Sequence, residues 1–129
     1  MIRFQDAKTS TITSVIKKAK ESLIKKNYNE IYAHEVAHKN AAGELGGSIH
    51  IVKNSDGIPI SGFVPIKVPQ VPETKNPSIL NKTISKAKKV IKAAMAPNDP
   101  SSADFSVKKQ AEHTIQKAES IKHNIDYFA

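Results

Sequence analysis

The stretch His34-Glu35-Val36-Ala37-His38 constrains this chain more than any other. On an α-helix, residues i and i+4 lie on one face, a turn apart. The H-E-x-x-H spacing therefore brings two imidazoles side by side only if the segment is helical. Held in mid-helix, His34 and His38 can share one tetrahedral Zn²⁺. Glu35, beside the first ligand, then reaches a zinc-activated water as its general base. Val36 and Ala37 are small, uncharged and helix-compatible, and Ile31, Tyr32 and Ala33 continue an apolar face upstream. Lys39, directly after the motif, is an unusual neighbour for a buried site. The competing expectation is a polar helix with two surface histidines.

A chain of 129 residues suffices for a single domain, 1–129, with one modest core. Tryptophan is absent and aromatics are few, so that core must come from Ile, Val, Leu and Ala. The absence of cysteine excludes disulfides and thiolate ligands and suits a reducing compartment. Met1–Ser10 is polar, without the apolar core of a signal peptide, and no apolar run approaches a membrane span. The expected setting is cytoplasmic, away from membranes. The net charge of +8 favours acidic partners. The cations are lysines, with arginine only at Arg3, and aromatics do not interleave with them. Specific nucleic-acid readers lean on Arg and stacking rings, so nucleic acid is not the expected partner, although Lys-rich helices permit non-specific contact. No G-x-S-x-G, P-loop, dinucleotide fingerprint or internal repeat is present.

Along the chain, residues 1–10 read as a loose N-terminal arm or short edge strand. Ile12, Val15, Ile16, Ala19 and Leu23 recur at helical spacing and predict a helix over 11–26, with Lys17, Lys18, Lys20, Lys25 and Lys26 as its solvated face. Asn27 followed by Glu30 reads as an N-cap with its capping-box partner. The motif helix is placed at 28–45 and stopped by Gly46-Gly47; one continuous helix through Lys26 is the alternative. Residues 48–66 predict a β-hairpin around the turn Asn54-Ser55-Asp56-Gly57, with Pro59 and Pro65 confining its second strand to an edge. Such a sheet edge can accept an extended substrate as an added strand or simply cover the helix. Asn76 caps a helix over 77–96, with Leu80, Ile84, Ala87, Ile91, Ala94 and Met95 as its stripe. A last helix, 101–126, carries Val107, Ala111, Ile115, Ala118, Ile121 and Ile125, with Asp104 favourable in its first turn. The helices over 77–96 and 101–126 are expected to be antiparallel neighbours packed on the N-terminal elements. The fold class is α+β, a small, mainly helical domain with one hairpin after the motif helix.

Four segments stand out together: His34 through Gly43, Asp56-Gly57, Ser61-Gly62, and Ala93-Ala94-Met95-Ala96-Pro97-Asn98-Asp99-Pro100-Ser101 with Asp104 following. In these the chain resembles the SprA-related family of bacterial metallopeptidases. The resemblance covers about residues 30–118 and implies a zincin-like fold acting on peptide or protein substrates. H-E-x-x-H is shared by many zincins; the later Ala-Pro stretch is the more specific part. One departure matters: the family's second hairpin strand reads Gly-Gly-Glu-Val, whereas here Ser61-Gly62-Phe63-Val64 places Phe63 where a third-ligand Glu would stand.

A catalytic zinc takes three protein ligands and a water. Three readings compete for the third place. His50 should face Ser61 across the hairpin, diagonal to Phe63, and can supply the ligand. Glu44 stands six residues after His38, the metzincin offset, but Ala41 replaces the glycine that motif needs for its turn. In the third reading the site is lost. His113, His123, Glu112 and Glu119 read as surface residues of the last helix, and nothing ranks Tyr28, Tyr32 or Tyr127 as an oxyanion donor. The expected function is zinc-dependent peptide hydrolysis with His34 and His38 on the metal and Glu35 as base. The alternative is a catalytically inactive zincin-like binding or scaffold protein whose basic surface meets acidic partners. A cleft on so short a chain would be shallow, which a homodimer could complete.

Overall fold

The computed structural model describes the backbone of residues 4–128 and the side chains of residues 11–125. The chain is mostly helical with one antiparallel hairpin: α1 (Phe4–Ala42), a 3-10 turn (Gly43–Leu45), β1 (His50–Lys53), β2 (Pro59–Phe63), α2 (Pro77–Ala94) and α3 (Ser102–Phe128). By its contacts the chain divides into two compact units: Met1–Ala33 with His50–Phe63, and His34–Ile49 with Val64–Ala129. Among the described residues no helix is long and apolar enough to cross a membrane.

In the first unit, α1 is helical from Phe4, which replaces the loose arm expected over 1–10; residues 1–3 of that arm lie outside the described residues. The break expected at residues 25–27 does not occur, and the continuous alternative holds. Asn27 does not cap a helix. Its side-chain amide donates instead to the Pro59 carbonyl on β2, 3.0 Å away, which leaves the helical backbone ladder unbroken. The Ile12, Val15 and Ile16 side chains, expected in the core, are 58–62% exposed, and Leu23 is exposed as well.

The hairpin turn forms where its residues predict it. The Asn54 side chain accepts from the Asp56 and Ile58 amides, both at 3.0 Å, and Gly57 takes a φ of 78°. The register differs from expectation: His50 pairs with Phe63, not Ser61. The Asn54–Ile58 closure and an irregularity between Val52 and Lys53 move the partner by two positions, which preserves which face each side chain takes.

In the second unit, α2 and α3 form the core. Leu80 and Ile84, early in α2, pack with Ala118, Ile115, Ile121 and Ile125 of α3, while Ala87 and Val90 pack with Ala111 and Val107. That inverse order makes the helices antiparallel, as their stripes predict. Val90, not Ile91, is fully buried. Asn76 caps α2 by accepting from the Ser78 amide at 2.9 Å, and Pro77 takes the first helical position. α2 ends at Ala94 rather than at 96, with Met95 as its C-cap.

α1 also ends early. The helix expected to run to residue 45 stops at Ala42, because Gly43 adopts a left-handed φ of 57°. The chain then turns back, and Gly46 and Gly47 lie extended beside the segment 65–67 (Gly47 N–H to Pro65 O, 2.8 Å; Lys67 N–H to Leu45 O, 3.0 Å). Gly46 sits close to Ala42, whose Cβ would stand 3.0 Å from a Cβ at that position. Lys39 is directed out of the site, and its ammonium donates to the Gly47 carbonyl at 2.9 Å.

Candidate metal centre

The last turns of α1 place His34, Glu35 and His38 together, with potential ligand atoms all within 4.8 Å of one another. The helix repeat sets the spacing, and the α2–α3 connection sets the orientation. His38, 3% exposed, donates from Nδ1 to the Ala93 carbonyl near the end of α2, 2.8 Å away. A carbonyl can only accept, so the Nδ1 carries the proton and neutral His38 presents a lone pair at Nε2. His34 Nδ1 lies 3.2 Å from Asp99 Oδ1, which likewise turns its Nε2 inward. Asp99 is 90% exposed, so this contact orients the ring while contributing little energy. The two Nε2 atoms stand 3.2 Å apart, with the rings edge to face.

A third acceptor meets them. Asp104, in the first turn of α3, puts Oδ1 3.1 Å from His38 Nε2 and Oδ2 3.5 Å from His34 Nε2. The Ser101 amide donates to Asp104 Oδ2 at 2.7 Å, and the Asp104 amide donates to Ser101 Oγ at 3.1 Å. This reciprocal pair is a capping box with Asp in the Glu position. Donors around a tetrahedral Zn²⁺ with metal–ligand distances near 2.0–2.1 Å stand roughly 3.3 Å from one another. The Nε2–Nε2 separation of 3.2 Å and the Asp104 Oδ1–His38 Nε2 separation of 3.1 Å lie close to that edge, and the other Asp104 oxygen stands 3.5 Å from His34 Nε2, so the two imidazoles and one carboxylate can surround an ion of that size.

Glu35 is 4% exposed and its Oε1 lies 3.9 Å from His34 Nε2, beyond the ligand edge and near the reach of an intervening water. Burial raises its pKa above the ordinary 4.5; the neighbouring His38 and His34 lower it, and Asp104 adds a further upward push. Desolvation is the largest of these, so the net direction is upward.

The structure brings together His34, Glu35 and His38 as the motif predicts. Glu44 is exposed in the 3-10 turn, and His50 begins β1 with its ring stacked on Phe63 (centroids 4.7 Å apart, 11° between planes). Among the described residues, the potential ligands that all lie within 4.8 Å of one another are His34, Glu35 and His38, a group that includes neither Glu44 nor His50 nor Asp104. Tyr28 and Tyr32 stack on each other at the surface of α1. His113, His123, Glu112 and Glu119 are exposed, as expected. The Tyr127 side chain lies outside the described residues. Asp104 and Asp99 are the acidic residues that motif reading misses. The Asp99–Asp104 stretch carries the family resemblance, but no spacing rule links it to a motif more than sixty residues upstream.

Comparison with known proteins agrees with the resemblance drawn from the residues and extends it. No curated protein and no solved structure matches the chain. The model of the SprA-related family matches residues 1–125, almost the whole length. The chain that carries this histidine pair belongs to the SprA-related family.

Proposed function

We propose that the protein is a zinc-dependent metallopeptidase with a zincin-like site, His34 and His38 binding the metal and Glu35 serving as general base. The observation that carries this reading is the convergence of two inward-facing Nε2 atoms, 3.2 Å apart, beside a buried carboxylate. When bound, Zn²⁺ would polarise the scissile carbonyl and acidify a water. The chain's own residues supply the rest. Ala93 and Asp99 hold the imidazoles in the tautomer that exposes Nε2. Glu35 accepts a proton from the attacking water as its oxygen bonds to the carbonyl carbon, then returns that proton to the leaving amine. The upward pKa shift suits both halves of that exchange. A second reading, a non-catalytic protein that docks acidic partners, is favoured by the exposed apolar residues Ile12, Val15, Ile16 and Leu23 and the lysines beside them on α1.

Glu35→Gln separates the two. Under the peptidase reading, zinc-loaded wild type cleaves fluorescently labelled casein, a chelator stops cleavage, and the variant retains zinc while losing about 10²–10⁴-fold in rate. Equal rates in wild type and variant, or no cleavage by fully zinc-loaded wild type, would overturn it.

A further inference from the structure

We propose that Asp104 is the third protein ligand of the metal. The proposal rests on the metallopeptidase reading of His34 and His38 and completes its ligand set.

His38 Nδ1 donates to the Ala93 carbonyl and His34 Nδ1 faces the Asp99 carboxylate, so both rings turn Nε2 toward the same point. The two Nε2 atoms are 3.2 Å apart, Asp104 Oδ1 stands 3.1 Å from His38 Nε2, and Asp104 Oδ2 stands 3.5 Å from His34 Nε2. Two imidazole nitrogens and one carboxylate gathered at these separations make a donor set that a single divalent cation can bridge.

Helix capping does not account for this placement. The capping box uses Asp104 Oδ2 as acceptor for the Ser101 amide. Oδ1 is left over, and it is the oxygen nearest His38. The box thereby pre-orients the carboxylate: one oxygen is held by backbone and the other is offered to the metal, an arrangement typical of ligating carboxylates. The resulting set, two histidines and one carboxylate, is that of a hydrolytic zinc site with its fourth position open. All its members lie in the unit His34–Ile49 with Val64–Ala129.

The test is zinc affinity of the full chain, stripped of metal and titrated with Zn²⁺ against a chromophoric chelator, with the zinc-induced rise in melting temperature as a second readout. Wild type is expected to bind one zinc per chain. Changes in partners of metal ligands already cost about 10–100-fold in affinity, so loss of the ligand itself in Asp104→Ala should cost at least about 100-fold. Asp104→Asn keeps a side chain that can cap the helix, and carries the test if the Ala variant fails to fold. His50→Ala and Glu44→Ala remove the rival ligands. Both should stay within about threefold of wild type if Asp104 is the third ligand. Wild-type binding that survives in both Asp104 variants overturns the assignment of Asp104 alone. Affinity lost in His50→Ala transfers the role to that residue. A wild type that takes up no zinc overturns the metallopeptidase reading and this proposal together.

Discussion

Gly43→Ala tests whether the left-handed residue after the motif helix is a structural requirement. At φ 57° a Cβ crowds the following carbonyl, which costs about 1–2 kcal/mol. A second, steric contribution is small: the new Cβ would stand 3.2 Å from Lys89 Nζ, the tip of a flexible chain that can swing aside. A third effect opposes both, since alanine reduces the conformational freedom of the unfolded chain, a gain of about 0.4–1 kcal/mol where the native conformation allows it. Backbone strain wins, leaving a net loss of about 1 kcal/mol, or about 3–5 °C in melting temperature for a chain of this size. Asparagine tolerates the left-handed region better than alanine, so Gly43→Asn should lose about half as much. Urea melts of the metal-free protein followed by far-ultraviolet circular dichroism measure all three. Alanine as stable as glycine, or asparagine as costly as alanine, would show that the φ of Gly43 does not hold the turn.

Two further outcomes follow from burial. Glu35 has a folded-state pKa above its unfolded value of 4.5, so the folded protein holds more protons between those two values. Its contribution to stability is full below pH 4.5 and is lost as pH rises through the folded value, and the difference in melting temperature between metal-free wild type and Glu35→Gln should shift in that direction across this window. A difference that is flat with pH, or slopes the other way, would contradict the burial argument. Leu80→Ala removes a fully buried side chain packed against Ile84 and Ala118 and should cost about 3 kcal/mol in chemical unfolding, whereas Ile79→Ala, next to it and exposed, should stay within about 0.5 kcal/mol.

Local periodicity made much of this fold legible. The stripes of α2 and α3, the Asn76 cap with Pro77 and the Asn54–Gly57 turn are written in neighbouring residues, and they form where those residues place them. The His34–His38 pair is likewise local, because the helical repeat alone brings i and i+4 together. Expectation failed along α1. Asn27 carries both a cap signal and a helix-compatible context, and its side chain pairs with the Pro59 carbonyl while the helix continues. The stop expected at Gly46-Gly47 is made at Gly43, which takes the left-handed turn, while Gly46 serves close approach to Ala42 and Val64.

By itself, then, the sequence determined the α2 cap, the Asn54–Gly57 turn and the spacing of the His34–His38 pair, because each depends on contacts within about one helical turn or one hairpin. Tertiary structure decided the rest. The fold brings the carboxylate of Asp104, the carbonyl of Ala93 and Asp99 to His34 and His38 across 55 to 70 residues. No periodicity encodes such a meeting, since it depends on how α2 and α3 turn back on each other and where the loop between them ends.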